Sequence, residues 1–558
     1  MDVVTPSQMK RIDQRAIEEF RIPGIVLMEN AALQTAQVIL KHDFLASVSK
    51  KPRKALILAG CGNNGGDGFA IARHLFLYGY QVSVLIVSEG GRRPGGDAET
   101  NLDALYALQN GQNSTQQNSG EKDSQQKNLD AFLQIHWLED KKDLKQIKAM
   151  LQDTSLVVDA LFGTGLDRPV AGLNAAVINA VNEMVNRKNH HIVLAVDIPS
   201  GINGETGQMM GTAIQADHTV AYGYLKPGHL LYPGREYSGQ VHVVPISLPA
   251  DSAKSVKAHL FTLDDVEAAQ MLRPRPRDSH KGTFGKVAVI AGSTGLTGAA
   301  HLSSLAALRT GAGLVTLGIP AALNPVMEQK LTEVMTYPLE DRGLGHLVTE
   351  SLRDITELLK DKDVLAFGPG CGKNQGVFEI LRNILGHFHI PIVIDADGLN
   401  HISRDMSLLR THHAPVILTP HPGEMSRLTG LGVEEILSRP VETAARAATK
   451  YSCIVLLKGA ASIVAEPGGK VYINASGNAG MAKGGSGDVL TGMIASFIAQ
   501  GYPPFEATVL GCYIHGRAGE EAAGRLGETG MIAGDLIDAI PGTFLSLFNA
   551  LRGMPDIT

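Results

Sequence analysis

Short apolar runs that stop abruptly at glycine, aspartate or proline recur along the whole 558-residue chain, and no other feature narrows its fold as much. Ala55-Leu56-Ile57-Leu58-Ala59 runs into glycine, and Ile392-Val393-Ile394 runs into aspartate. Apolar residues without polar alternation describe strands buried on both faces, the texture of a parallel sheet covered by helices. Candidate strands lie at 55–59, 82–87, 156–158, 192–196, 218–222 and 241–244, then at 286–291, 313–319, 363–367, 391–395, 415–419, 453–457, 462–465 and 470–474. Helical patterns between them imply βαβ crossovers. The 62 glycines fit loops at the carboxyl ends of such strands, where ligands of open α/β sheets lie.

Two large α/β units account for the length. The first spans 1–250 and carries a Gln/Asn/Ser-rich segment at 109–128, read as a solvated, mobile insertion. Residues 251–276 read as a linker, a short helical stretch around Leu263 to Leu272 followed by Arg273-Pro274-Arg275-Pro276-Arg277, whose alternation discourages a regular ladder. The second unit spans 277–558. A formal charge of -6 with no long basic run gives no support to nucleic-acid binding. Cys61, Cys371, Cys453 and Cys512 lie far apart, without the spacing of a zinc site, which points to a reducing, cytoplasmic compartment. The first residues lack the pattern of a signal peptide, and no stretch reads as a membrane span.

The richest local signal is Gly484-Gly485-Ser486-Gly487-Asp488. The strand-like run Val471-Tyr472-Ile473 precedes it, and Val489, Leu490, Met493, Ile494, Phe497 and Ile498 follow at the spacing of an apolar helix face. Free amides in the first turn of a helix, brought close by glycine, can hold an oxyanion. Asp488 would repel a phosphate there, so its useful role is to take a proton, and the pair suggests phosphoryl transfer to a hydroxyl. An Asp that merely caps a helix is the equally open alternative.

In the first unit, Gly62-Asn63-Asn64-Gly65-Gly66-Asp67-Gly68 follows strand 55–59 and opens a helix. Asp159 runs into Gly163-Thr164-Gly165-Leu166, and 192–196 runs into Asp197-Ile198-Pro199-Ser200-Gly201. One such Asp can simply bond nearby amides, but their recurrence at consecutive strand ends favours a ligand site. Together these segments resemble the NAD(P)H-hydrate epimerase domain, over nearly all of 1–245 outside the insertion. The resemblance implies a Rossmann-like αβα sandwich. It implies that Asn63, Asn64, Gly65, Gly66 and Asp67, with Gly163, Thr164, Gly165, Leu166, Asp167, Arg168 and Pro169, hold the dinucleotide. Asp197 would face the altered nicotinamide and serve as acid or base, with Lys226 a weaker second candidate read as a surface lysine. A potassium ion would take oxygens from Asn64, Asp159 and Ser200.

In the second unit, His280 to Val287 leads to Ala291-Gly292-Ser293 and Thr297 to Ala300. Gly368-Pro369-Gly370-Cys371-Gly372, Asp395 to Asn400, Thr419-Pro420-His421-Pro422-Gly423-Glu424 and Lys458-Gly459-Ala460-Ala461-Ser462 follow in order. With Gly484 to Asp488, the set resembles the ADP-dependent NAD(P)H-hydrate dehydratase domain, a ribokinase-like αβα fold, over about 275–545. Carried over, Lys458, Gly459, Ala460, Ala461, Ser462 and Gly487 would bind the adenine nucleotide, and Ala299, Gly372, His421 and Asp488 the hydrate. Taken alone, His421 reads as a turn histidine, and pairs such as His190-His191 and His412-His413 as solvated loops. Ala291 and Cys371 depart from the family's pattern, where glycine and an aliphatic residue are usual, which implies altered packing only.

The resemblance implies nicotinamide nucleotide repair. The first unit would interconvert the R and S forms of NADH or NADPH hydrated at C6, and the second would dehydrate the S form while ADP becomes AMP and phosphate. ADP as co-substrate, potassium, room for Mg2+ at the dehydratase and a homo-oligomer are the implied cofactors and partners. A ribokinase-like kinase for a vitamin precursor, fused to a dinucleotide-binding domain, is the rival enzyme. A nucleotide sensor or scaffold with decayed sites is the rival from another class.

Overall fold

The computed structural model describes residues 1–42, 53–118, 132–152, 154–185 and 191–552. Compact units divide between Ala258 and His259. The N-terminal unit is built on β1 (Lys54–Ala59), β2 (Gln81–Val87), β3 (Leu133–Leu138), β4 (Leu156–Ala160), β5 (Ile192–Val196), β6 (His218–Tyr222) and β7 (Gln240–Val244). They lie in the order β3-β2-β1-β4-β5-β6-β7 and pair in parallel throughout, with Ile57 opposite Val158. This is the doubly wound order, whose reversal between β1 and β4 opens a crevice at the strands' carboxyl ends. Alternate side chains of β1 enter opposite cores: Ala55, Ile57 and Ala59 pack into one, Leu56 and Leu58 into the other. That explains a run with no polar alternation.

The C-terminal unit contains β8 (Leu260–Phe261), β9 (Lys286–Ile290), β10 (Leu314–Pro320), β11 (Met335–Leu339), β12 (Val364–Phe367), β13 (Ile392–Ile394), β14 (Val416–Leu418), β15 (Ile454–Leu457), β16 (Ile463–Ala465) and β17 (Val471–Ile473). The strand order is β8-β17-β16-β15-β14-β13-β12-β9-β10-β11. Pairing is parallel from β11 to β15, while β16 is antiparallel to both β15 and β17. The sheet is again buried on both faces: Val287 and Val289 pack into one core, Ala288 and Ile290 into the other.

Several expectations change. The stretch 251–276 is more than a connector: it contains the end of the first unit and β8, and the short helix expected around Leu263 to Leu272 forms at Asp265–Met271, where Asp264 makes a capping box with Glu267. The Arg-Pro run occupies only its end. The helix Asp97–Asn118 continues into the Gln/Asn-rich segment, because a formed helix propagates cheaply through residues that do not break it. Residues 119–131, with the rest of the expected insertion, lie outside the described residues. Strands β3 and β11 went unread because each sits at a sheet edge with mixed polarity, and β11 carries Pro338, which an edge tolerates.

Candidate active sites

In the N-terminal unit, three consecutive strand ends meet. The helix Asn63–Leu77 starts inside the Asn/Gly motif after β1, and Gly65 is so close to the preceding turn that an added Cβ would stand 1.8 Å from the Gly60 carbonyl oxygen. Only glycine allows that approach, which sets the helix N-terminus beside the loop after β4. There Asp159 is fully buried and accepts from Ser200 N at 2.7 Å, Ser200 Oγ at 2.6 Å and Leu161 N at 3.3 Å. Burial pushes its carboxyl up to about 6, against the pull of the Ser200 bonds. Ser200 Oγ also accepts from Phe162 N at 2.8 Å. The Asn64 amide is buried, lies against Gly163, and its Nδ2 has no partner among the described residues. Asn64, beside Gly163, and Ser200, bonded to Asp159 and Phe162, therefore both meet the loop after β4. Thr164 packs near Gly204, while Gly165, Asp167, Arg168 and Pro169 are exposed along the rim and Leu166 is half-buried.

Asp197, just past β5, adopts a left-handed backbone with φ of 63°. Non-glycine residues hold that conformation only where surroundings fix it, a frequent property of functional sites. The fixing groups are all visible. Its N–H donates to Val220 O at 2.9 Å, and its carbonyl accepts from His229 Nε2 at 2.8 Å. Its Oδ1 accepts from Lys226 Nζ at 2.5 Å and Tyr222 N at 3.1 Å. Oδ2 has no hydrogen-bond partner among the described residues. Lys226 is not the surface residue its place before a proline suggested: its side chain is fully buried, and Nζ also donates to Tyr222 O at 3.0 Å. His229 has its proton affinity lowered to about 4 by burial and then by Lys226, so it stays neutral, accepting from Lys226 N at Nδ1.

Two more carboxylates face this pair. Asp13, on the helix Pro6–Glu18, is raised to about 6 by burial, with Lys226 opposing and Asp197 adding to the rise. Asp67 is raised well above the usual carboxylate range by burial, then by Asp197 and Asp13. Sequence gave no sign of Asp13, which sits in an ordinary amphipathic helix far from any glycine motif.

In the C-terminal unit the helix Ser486–Ala499 begins within the glycine motif, and Gly485 precedes it at φ of 95°. Asp488 lies in its first turn, where amides lack intrahelical partners. Its carboxyl rises to about 7 through burial first and then the charge of Asp395, with Lys458 opposing and Asp397 adding. Lys458 Nζ donates to Asp395 Oδ1 at 2.6 Å, and Thr491 Oγ1 donates to Asp395 Oδ2 at 2.8 Å. Gly487 leans on this pair: an added Cβ would lie 3.2 Å from Lys458 Nζ. Gly459 and Ser462 form a small turn, Gly459 N donating to Ser462 Oγ at 3.2 Å, with Ala460 exposed and Ala461 half-buried beside them.

Gly372 joins the same neighbourhood through Asp397, whose Oδ2 accepts from Gly372 N at 2.9 Å. Ala299, in the first turn of the helix Thr297–Arg309, packs beside the Gly370 turn. His421 caps the helix Pro422–Thr429, its Nδ1 accepting from Gly423 N at 3.0 Å, while Glu424 Oε2 accepts from His421 N at 2.9 Å. Glu424 and Lys458 feel each other's charge, which connects His421 to the cluster. Asp395, Thr491 and Glu424 were absent from the residues expected of the site. Asp395 and Glu424 stood inside motifs already noticed, and the signal for Thr491 was only its place one turn past Asp488. Cys371 is buried, its thiol held far above the usual range by burial, so it is packing and not a nucleophile.

The histidine pairs are mixed. His190 lies outside the described residues, whereas His191 is half-buried with Nδ1 2.5 Å from Thr154 O, not solvated as expected. His412 bonds Ala414 O at 2.8 Å. Parallel pairing of β6 with β7 brings His218 Nδ1 within 3.2 Å of His242 Nε2, a proximity that sequence spacing cannot show.

Two parallel-sheet units, each gathering carboxylates around one lysine at its strand ends, define an α/β enzyme with two sites. A family model described as "YjeF-related protein N-terminus" matches residues 24–228, and one described as "NAD(P)H-hydrate dehydratase" matches 287–542. The chain is 39% identical to the bifunctional NAD(P)H-hydrate repair enzyme Nnr of Moorella thermoacetica, over 97% of this chain and 96% of that protein. It is 32% identical to the protein of the same name from Escherichia coli, over 88% and 84%. Among solved structures, the ADP/ATP-dependent NAD(P)H-hydrate dehydratase of Bacillus subtilis is 29% identical, covering 51% of this chain and 97% of that one at a TM-score of 0.46. The chain belongs to the family of bifunctional NAD(P)H-hydrate repair enzymes, which join an epimerase to a dehydratase.

Proposed function

We propose that the Asp197 cluster performs the epimerisation and the Asp488 cluster the dehydration, and that ADP is the phosphoryl donor. The observation that carries the reading is Asp488, a carboxylate with proton affinity near neutrality at the glycine-rich start of a helix and in the field of Lys458. Such a group takes a proton from the C6 hydroxyl as that oxygen attacks the terminal phosphorus of ADP, and AMP leaves. Amides around Gly485 to Gly487 hold the transferred group, with Lys458 offsetting its charge. Hydroxide leaves carbon poorly, whereas phosphate leaves well: the ring nitrogen's lone pair expels it, and loss of a proton from C5 restores the dihydronicotinamide. Lys458 to Ser462 and Gly487 support the nucleotide, and Ala299, Gly372 and His421 support the hydrate. Among the described residues no group of three or more His, Cys, Asp or Glu side chains is arranged to hold a metal ion. Mg2+ would therefore enter with the nucleotide's phosphates, as it commonly does.

At the first site, inversion at C6 requires that the hydroxyl leave and return, or that the ring open and close, and each route moves protons. Asp197 Oδ2 is open to do so, while Lys226 holds Oδ1. Asn63 to Asp67 and Gly163 to Pro169 receive the phosphates and sugars at the helix N-terminus. The all-oxygen set of Asn64, Asp159 and Ser200 suits a hard monovalent cation, and the unpartnered amide of Asn64 can turn its oxygen toward one. Potassium bound there would add positive charge beside the buried Asp159. The reading includes a homo-oligomer.

The test is direct. Each epimer of hydrated NADH is incubated separately with the chain, ADP and potassium, and the return of reduced-nicotinamide absorbance is followed. The S epimer recovers at once and the R epimer recovers through the first site. No recovery from either sinks the reading.

A further inference from the structure

Asp395 is 2% exposed at the side chain, and both of its oxygens are taken: Oδ1 by Lys458 Nζ at 2.6 Å and Oδ2 by Thr491 Oγ1 at 2.8 Å. These partners come from three different elements. Asp395 follows β13, Lys458 follows β15, and Thr491 stands one turn into the helix that begins with Ser486. Between them lies Gly487, where an added Cβ would be 3.2 Å from Lys458 Nζ and 3.6 Å from Asp395 Oδ2. The first turn of the helix thus lies against the ion pair, and a side chain at 487 would crowd the Lys458 ammonium.

We propose that Asp395 is the positioning residue of the dehydratase site: by clamping Lys458 to Thr491 it fixes the ammonium against the first turn of the helix and sets the charge that Asp488 experiences. The proposal rests on the reading of Asp488 as the base. Lys458 cannot then swing over to neutralise Asp488, although opposite charges at this depth attract strongly. Asp488 is left without a hydrogen-bonded cation, and its carboxyl is raised to about 7 by burial, Asp395 and Asp397, against Lys458. The other charged or titratable groups around the clamp are Asp397 on the helix Asp397–Ile402, Glu424 on the helix Pro422–Thr429, and His515 on the helix Pro504–Gly530. Glu424 adds to the pull on Lys458. His515 is kept neutral, its proton affinity lowered to about 4 by burial, and its Nε2 lies 3.0 Å from Ser486 O.

The experiment compares Asp395→Asn and Thr491→Val with the native chain, reading kcat and the KM for ADP from pH 5 to 9 on the S epimer. Asp395→Asn removes the charge and the clamp together. The acidic limb of kcat then moves down by about one pH unit, and the KM for ADP rises about tenfold as Lys458 is released. Thr491→Val keeps the charge and the Asp395–Lys458 ion pair and removes only the tie to the helix, so the limb moves down by less than in Asp395→Asn while the KM for ADP rises about threefold. A native pH limb in a folded Asp395→Asn chain overturns the proposal. Should that variant fail to fold by thermal melting, an unchanged KM in Thr491→Val overturns it instead. Absence of dehydration in the native chain, or full dehydration by Asp488→Asn, would instead defeat the underlying reading of the base.

Discussion

Asp197 and Asp488 are the same functional group at the carboxyl edges of two parallel sheets, yet their surroundings treat them oppositely. Asp197 has an ammonium 2.5 Å from one oxygen and a strained backbone pinned by His229, so it is fixed in place with one oxygen open. Asp488 has its nearest ammonium tied to a different carboxylate, Asp395, and takes on proton affinity near neutrality from burial and like charge. The contrast teaches that the lysine at the centre of each cluster does a different job. Lys226 Nζ bonds Asp197 itself, whereas Lys458 Nζ bonds Asp395 and not Asp488.

Removing each carboxylate in turn is the severest trial of this division. Asp488→Asn should lower dehydration by about 10³-fold or more, the upper range for a lost general base, and leave epimerisation unchanged. Asp197→Asn should lower epimerisation by about 10²-fold or more, leaving dehydration of the S epimer intact and the R epimer stranded. Assays on each purified epimer read both at once. A variant that damaged both reactions equally would end the separation of roles.

The lysines sharpen the comparison on a smaller scale. Lys226→Met leaves Asp197 unpaired beside Asp13 and Asp67, so the N-terminal unit should lose about 3–5 kcal/mol, read as an earlier first transition in urea. Lys458→Met leaves a cluster with room for solvent, since Lys458 is 20% exposed, so its main effect should fall on the KM for ADP. Equal stability losses in both units would erase the distinction.

How much of this could be read in advance depended on how each residue is positioned. Strands buried on both faces announced themselves as unbroken apolar runs, and the glycine turns marked the strand ends where the carboxylate clusters gather. Gly65 was legible because close approach of the Gly60 carbonyl excludes every other residue there. Edge strands β3 and β11 were not, since one wet face mixes polar residues into the run. Asp13 was missed, and Lys226 was named only as a weaker candidate on the surface, for a different reason. Their roles come from burial beside Asp197, created by chain segments far apart in sequence, and neither stands in a local pattern. Asp395 was visible within a motif, but its two bonds to Lys458 and Thr491 exist only once three elements meet.

The pH dependence gives the next effect in size. With Asp488 raised to about 7, dehydration should climb as pH rises through that value and level off above it, because the ionised form is the base. The sign for stability is opposite. Between the ordinary value of 3.8 and about 7 the folded chain holds this proton more tightly than the unfolded chain, so its contribution to stability falls as pH rises through that window. Asp488→Asn should therefore be more stable than the native chain above pH 7 and lose that advantage toward pH 4. A variant no more stable at pH 8 than the native chain would show that burial of Asp488 carries no such cost.

The smallest expected effect concerns the cation, and it tests whether the two sites differ in their need for one. Among the described residues, fully buried Asp159 has its charge offset by hydrogen bonds from Ser200 and Leu161. A potassium ion beside it would stabilise the ionised form, which burial otherwise drives toward protonation at about 6. Exchanging potassium for a bulky organic cation at constant ionic strength should therefore slow epimerisation severalfold, and more at pH 6 than at pH 8, where Asp159 ionises without help. Direct dehydration of the S epimer should not change. Asp159→Asn should remove the potassium response altogether. If dehydration alone responded, the cation would belong to the Asp488 site, where its charge would substitute for the lysine that Asp395 holds away.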